Sequence, residues 1–426
     1  MKRCIVIGGG FSGLTSAVYL SKAGFKVTLL ESSPKLGGRA YSLKDKETCD
    51  VIDNGQHILM GCYNYTLNFL KEISAEENLI TQDRLEINFV DENFELLPLA
   101  APKIIYPFNL LFAILKYKAL TTEDKLRFIS FFTKIPFYSN RDLERMTVAG
   151  WLKRENQSDS SIKAFWEILV VGALNTNINN ASAKIFASIL KEIFFKGNKA
   201  ATILIPKFGL TETYCGHAFD YIVKKGGKVN LGESVIELKS NGGILTEIIT
   251  EHCSIKDFDF VVSAVPLYAF NKIKKDPLLN IDLQLNYSSI LSVHLWLKKN
   301  PLKEKFYGLI NSPVHWIFNH LNHVTMVISD ADELVKHGTE EIFNLACGEL
   351  EKFFTIKRTE ITAFQIIKEK RATFIPSNEI INKRPNTQTK LLNMYLAGDW
   401  INTGLPSTIE SAVKSGKLAA DLIINS

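Results

Sequence analysis

The spacing of apolar positions switches twice within the first thirty residues. Cys4-Ile5-Val6-Ile7 is an unbroken apolar run that stops at three glycines. A short run without alternation suits a strand buried on both faces of a parallel sheet. Over residues 11–23 the spacing turns helical, with Leu14, Ala17, Val18 and Leu20 able to share one face, and Gly24 closes the helix. Lys26-Val27-Thr28-Leu29-Leu30 then reads as a second strand ending at Glu31. This spacing predicts a β-α-β unit of about thirty residues.

Later segments repeat the alternation. Residues 211–225 are helical in pattern and end at Gly226-Gly227, and short strands are predicted over 228–231, 234–238 and 244–250. Asn241-Gly242-Gly243 joins the last two as a hairpin. Residues 259–264 read as another buried strand, ended by Val265-Pro266. Near the C-terminus, 394–397 is a strand, Gly398-Asp399 a turn and 407–424 a helix. The expected fold class is α/β. A Rossmann-like nucleotide-binding domain, a parallel sheet with a β-meander insertion, is assembled from 1–65, 205–265 and 390–426. An α+β substrate domain takes 66–204 and 266–389. Two domains also suit a chain of 426 residues.

Candidate chemistry sits at the two ends. Gly8-x-Gly10-x-x-Gly13 lies between the first strand and the first helix. The first glycine permits a tight turn, the second lets the backbone approach a pyrophosphate, and the third lets helix and strand pack closely. The helix N-terminus then offers N–H groups to phosphates. Glu31 is placed to accept a hydrogen bond from a ribose hydroxyl. Alone, the glycine motif is weak evidence; with strand, helix, second strand and acid in register, it predicts a dinucleotide site. Ser407-x-x-Glu410 reads as a capping box starting the last helix.

Two further motifs separate the dinucleotides. Leu36-Gly37-Gly38-Arg39-Ala40 follows the second strand, and Gly398-Asp399-Trp400 lies far downstream. On these the chain resembles the FAD-dependent amine oxidase and phytoene desaturase superfamily. The resemblance implies an amine-oxidase-like fold in which an arginine and backbone amides of the GGR segment reach FAD. It also implies that the Gly-Asp carboxylate binds near the ribityl and pyrophosphate region, with the last helix aimed at the flavin. Within the superfamily, Asp53-Asn54-Gly55-Gln56-His57, Gly61-Cys62-Tyr63, Pro206-Lys207-x-Gly209-Leu210 and the run 397–412 from Ala397-Gly398-Asp399-Trp400 to Ser411-Ala412 are similar to the hydroxysqualene dehydroxylase family. The similarity spans the chain and is weakest over 270–390. Ser411 stands where that family's final motif leads one to expect glycine.

The implied cofactor contacts are Gly8, Gly10, Phe11, Ser12, Gly13, Glu31, Ser32, Gly38, Arg39, Ala40, Gly55, Gln56, Val235, Gly398, Asp399, Thr408 and Ile409. The implied reaction is reductive removal of an allylic hydroxyl from a C30 isoprenoid to give squalene, which needs a proton donor for the departing oxygen. His57 is the first candidate because imidazole titrates near neutrality. Asp53 is the second, as an acid or as the group that orients His57. The competing reading is that both only hold the flavin edge. An oxidative, carotenoid-type desaturase is the alternative activity on the same fold. An amine oxidase is disfavoured by Gly-Asp-Trp without a nearby cysteine for covalent flavin attachment, and a non-catalytic lipid carrier by the intact cofactor motifs.

Composition adds bounds. A net charge of +5 is small for this length and argues against a nucleic-acid partner. Six scattered cysteines without a CxxC pair read as thiols in a reducing compartment. His217, His294, His315, His320 and His323 lack the companions of a metal site, so no metal is expected. The first strand leaves no room for a secretory signal, and no apolar run reaches the ~18 residues of a spanning helix. The apolar run 104–115 is flanked by Lys116, Lys118, Lys125, Arg127 and Lys134, which also interleave the stretch 128–132. This suits an interfacial element that dips into a headgroup boundary, and equally a roof over the substrate cavity. The expected location is cytoplasmic, peripheral on the inner face of the cell membrane.

Overall fold

A computed structural model describes residues 1–93 and 95–426. Its parallel sheet runs in the order Lys228–Leu231, Lys26–Glu31, Arg3–Ile7, Phe260–Ser263, Met394–Leu396. Val6 pairs with Leu29 on one side and Val262 on the other, and Val262 in turn pairs with Tyr395. The lack of alternation in these strands has its reason here, because both faces are covered. Cys4, Val6, Val27 and Leu29 point into a core shared with helices Phe11–Lys22, Asn64–Glu72, Gly216–Lys224 and Ile409–Ile424. Ile5, Ile7 and Leu30 point the other way, into a core that also holds Leu238, Leu245 and Ile248 of the β-meander. That meander contains Val235–Asn241 and Ile244–Thr250 joined by Gly242 and Gly243, both at positive φ (59° and 79°), as a two-glycine hairpin turn requires.

The second half of the molecule is built on a seven-stranded sheet in the order Ile361–Phe374, Tyr287–Leu297, His323–Ile328, Trp316–Asn319, Phe306–Leu309, Glu86–Val90, Leu96–Ala100. Only the Phe306–Leu309 and Glu86–Val90 pair is parallel. No elements were expected between 270 and 390. Strands such as His323–Ile328 are buried at every residue, so they lack the two-residue alternation that marks a strand. Helix Thr339–Phe354 covers one face of this sheet through Ile342, Phe343, Ala346 and Leu350.

A helical layer lies on the other side. Phe128, Phe131, Trp151 and Trp166 form its aromatic centre, with the Phe128 and Trp166 rings stacked at 4.7 Å. The stretch 128–132 therefore turns its two best apolar side chains inward. In contrast, Ile105, Phe108, Phe112 and Leu115 in and before helix Phe108–Lys116 are exposed. Among the described residues, no helix is long and apolar enough to cross a membrane.

Candidate active site

The C-terminal ends of the parallel strands open into a cavity of about 870 Å³. It runs from Glu31 and Glu233–Ile236 at one end to Gly55–His57 and Ser407–Ile409 at the other. Ligands of open α/β sheets bind at this edge, where the strand order reverses.

Close approach dictates the glycines. A Cβ on Gly13 would lie 1.8 Å from the Gly8 carbonyl oxygen, so only glycine lets the first helix pack on the first strand. A Cβ on Gly9 would meet Leu36 at 2.5 Å. Gly10 faces Gly38, and the two loops are tied by Gly37 N donating to Gly9 O at 2.9 Å. The helix Phe11–Lys22 starts at Gly10 with no side-chain cap. Phe11 and Ser12 line the cavity, which leaves first-turn N–H groups available to a phosphate. Glu31 accepts from Gly9 N at 2.6 Å and Ser33 N at 2.8 Å, and its side chain borders the cavity together with Ser32 and Val235.

Arg39 and Asp399, 360 residues apart, meet at 2.6 Å. Arg39 also donates to Ala372 O, and the second carboxylate oxygen of Asp399 accepts from Ser407 Oγ. Burial raises the Asp399 carboxyl, but the Arg39 charge, the two hydrogen bonds and the nearby Arg384 outweigh it and hold Asp399 below the usual carboxylate range.

The start of the last helix departs from the expected capping box. Thr408 is the N-cap and accepts from Ser411 N at 3.2 Å. Ser407 is occupied by Asp399, and Glu410 turns away to accept from Tyr65 N, Thr66 N and Thr66 Oγ1. It thereby holds the N-terminus of helix Asn64–Glu72 and has no reach left for its own helix. Thr408, Ile409 and Ala412 border the cavity, bringing a second helix N-terminus to it. Ser411, where glycine was expected, bonds Thr403 Oγ1 at 2.6 Å and stays buried.

The segment 53–57 divides. Gly55, Gln56 and His57 line the cavity. His57 Nδ1 lies 2.7 Å from the Gly55 carbonyl, which can only accept, so Nδ1 carries a proton and Nε2 is the titrating atom. Burial lowers its basicity below the ordinary histidine value. Asp53 does not border the cavity and does not touch His57. Its Oδ1 accepts from Ser42 Oγ at 2.7 Å and Leu210 N at 2.9 Å, and burial pushes its carboxyl up to about 6. The orienting role considered for Asp53 belongs instead to the Gly55 carbonyl.

Three supporting residues escaped the sequence reading. Tyr214 is fully buried, stacks on Phe11 at 3.8 Å and donates to Ala40 O at 2.6 Å, within reach of Gly37 O at 3.1 Å. Asn54 ties the Arg39 carbonyl to Tyr41 N. Arg384 clamps the carbonyls of Ile401 and Leu405. Tyr214 and Arg384 lie in no recognisable motif; Asn54 sits inside the Asp53–His57 run but was given no role of its own. The histidines His294, His320 and His323 stack in a separate group. Among the described residues, no His, Cys, Asp and Glu group is disposed to hold a metal ion.

A second, apolar cavity of about 400 Å³ adjoins the first, and Ile58, Tyr63, Gly172, Ala173, Trp316 and Thr408 border both. Its walls include Met60, Leu85, Phe89, Phe165, Ile168, Ile193 and Phe194.

A parallel-sheet dinucleotide cradle beside an apolar chamber and a mostly antiparallel sheet defines a dinucleotide-dependent oxidoreductase. A sequence profile of the flavin-containing amine oxidoreductases matches residues 11–424, and the chain belongs to that family. A flavin in a dinucleotide cradle is FAD, and the glycine approaches, the bare helix N-terminus and the Arg39–Asp399 pair fit it. The chain is 29% identical over 430 residues to a hydroxysqualene dehydroxylase of Zymomonas mobilis, covering 99% of this chain and 98% of the relative. A hydroxysqualene dehydroxylase of Rhodopseudomonas palustris is also 29% identical, with the same coverage. A 15-cis-phytoene desaturase of Glycine max is 23% identical over 99% of this chain and 79% of its own length. In fold, the structure is similar to an oxidoreductase from Methanosarcina mazei, with a TM-score of 0.77, 17% identity and coverage of 98% and 100%.

Proposed function

We propose that this enzyme reductively removes the allylic hydroxyl of hydroxysqualene to give squalene. The observation that carries the reading is the apolar chamber joined to the cofactor cavity, which suits a hydrocarbon chain whose reacting carbon lies against the flavin. The full-length relatives named for this activity support it. Reduced FAD, when bound, would supply a hydride (two electrons with one proton) for the allylic carbon. Gly8–Phe11 and Arg39 with Asp399 hold and orient it, and the apolar walls exclude water around the chain. His57 is the candidate donor of the proton with which the hydroxyl leaves as water, using Nε2 while Gly55 O fixes the ring. A positioned acid contributes ~10²–10⁴-fold. The sequence-level alternative, an oxidative desaturase, shares every cofactor contact and differs in the direction of electron flow.

Delivery of substrate supports a peripheral membrane position. Phe108 and Phe112 are exposed on helix Phe108–Lys116 and Ile105 just before it, and Tyr106 Oη donates to the carbonyl of Phe194, a residue that lines the apolar chamber. The exposed face and the chamber are thus attached to each other. An anaerobic incubation tests the reaction. Photoreduced enzyme mixed with hydroxysqualene should yield squalene as the flavin reoxidises; oxidised enzyme with phytoene is the control. Polyene formation in the control, with no squalene in the first arm, would overturn the reading.

A further inference from the structure

Two of the residues that border both cavities, Gly172 and Trp316, face each other across their shared boundary. Helix Glu167–Leu174 runs along the chamber wall, presenting Ile168 and Leu169 at the apolar end, then Gly172 and Ala173 to both cavities, with its C-cap Asn175 at the cofactor end. Gly172 has no local need to be glycine. It sits inside a helix, at ordinary negative φ, where alanine is the better helix former. Directly across the junction stands Trp316, and a Cβ on Gly172 would lie 3.2 Å from its Nε1 and 3.7 Å from Cε2 and Cζ2.

Trp316 is backed by the sheet. A Cβ on Gly308, the residue paired with it in the sheet, would already be 3.2 Å from Cζ3, and the Phe89 and Phe306 rings stand at 6.1 Å on either side. Any atom added to Gly172 therefore presses on Trp316 at the boundary the two cavities share. We propose that Gly172 and Trp316 form the selectivity gap of this enzyme, the missing side chain of Gly172 setting the width through which an unbranched or methyl-branched hydrocarbon chain passes from the apolar chamber to the flavin. The inference rests on the assignment of FAD to the larger cavity and deepens the proposed reaction by naming the residue that limits its substrate.

The experiment uses FAD-loaded Gly172→Ala, Gly172→Leu, Trp316→Leu and the double variant Gly172→Leu/Trp316→Leu. The first readout is the change in flavin absorbance on titration with squalene or with hexadecane in detergent; the second is turnover of hydroxysqualene. Gly172→Ala should weaken squalene binding at least threefold, yet keep full FAD content and an equal or higher melting temperature, since alanine suits the helix. Gly172→Leu should lower binding and kcat/KM at least a hundredfold, and adding Trp316→Leu should recover at least tenfold. A structural role for Gly172 would lower stability and could not be rescued from across the gap. Wild-type-like binding in Gly172→Leu overturns the gap. So does loss of FAD in Gly172→Leu with normal binding in Gly172→Ala, or a wild-type flavin spectrum blind to both hydrocarbons. Failure of the wild type to convert hydroxysqualene, with squalene binding still graded by residue 172, sinks the reaction and leaves the gap standing.

Discussion

Replacing Arg39 by methionine tests whether the two ends of the chain are held together by charge. Methionine keeps the packing of the stem and removes the guanidinium. Asp399 is left with 7% of its side chain exposed, accepting from Ser407 and sensing Arg384. Breaking one side of a buried pair costs ~3–5 kcal/mol; the two surviving partners place this case at the lower end, ~3 kcal/mol. Arg39→Met/Asp399→Asn removes the stranded charge and should regain about 2 kcal/mol, since a neutral replacement of a buried pair is often tolerated. The folded-state value of Asp399 is lowered, so its carboxylate contributes stability above the unfolded value of ~3.9, and that contribution is lost as pH falls through the folded value. Without Arg39 the folded-state value rises. The deficit of Arg39→Met is therefore largest near neutrality and shrinks as the carboxyl is protonated. Urea unfolding of the apoprotein, followed by tryptophan fluorescence, measures this; Trp400, buried and bonded to Val265 O, reports on the right region. A double variant no more stable than Arg39→Met, or a deficit equal at about pH 5 and about pH 8, would refute the electrostatic account.

Other outcomes follow from single contacts. Gly13→Ala puts a methyl 1.8 Å from the Gly8 carbonyl, so the protein should be purified without flavin and with stability lowered by more than ~4 kcal/mol, seen in its absorbance and urea midpoint. Tyr214→Phe leaves the Ala40 carbonyl without its buried donor and should weaken FAD binding by ~1–3 kcal/mol in a fluorescence titration. His57→Gln should slow flavin reoxidation by hydroxysqualene ~10²–10⁴-fold while FAD affinity changes little. Phe108→Ser/Phe112→Ser should reduce sedimentation with anionic liposomes several-fold and leave turnover in detergent intact, because both side chains are exposed and outside the two cavities.

The parts of this molecule legible in sequence are those in which one short segment carries both a conformational demand and a chemical one. Gly8, Gly10 and Gly13 announce a cradle because their backbone needs are local, and Glu31 follows at the end of the next strand. What stayed hidden depends on partners distant in sequence. Tyr214 supports the loop 37–40 from 174 residues away, and Arg384, itself in no motif, clamps the carbonyls of Ile401 and Leu405. Ser407-x-x-Glu410 was misread for the same reason: both side chains are diverted to Asp399 and Thr66, and the cap falls to the next hydroxyl. Inner strands of the seven-stranded sheet such as His323–Ile328 went unread because burial on both faces removes the alternation by which strands are recognised. Gly172 carries no signal in sequence, because its neighbour across the cavity wall, Trp316, lies far along the chain.

Reduction and desaturation can share every cofactor contact here, so direction must be decided by what the remaining residues do with a proton. Removing a hydroxyl needs an acid; removing a hydrogen from a neighbouring carbon needs a base. Burial holds His57 below the ordinary histidine value, so its resting form near neutrality is neutral, with a lone pair on Nε2. If it is the acid, the active form is the protonated minority, and the single-turnover rate falls about tenfold per pH unit above the His57 value while rising toward a plateau below it. If it is the base, the slope reverses and the plateau lies on the alkaline side. One residue therefore predicts opposite pH limbs for the two chemistries, and His57→Gln should flatten whichever limb is present. A hydroxysqualene reaction that accelerates with rising pH would place the proton donor elsewhere in the cavity.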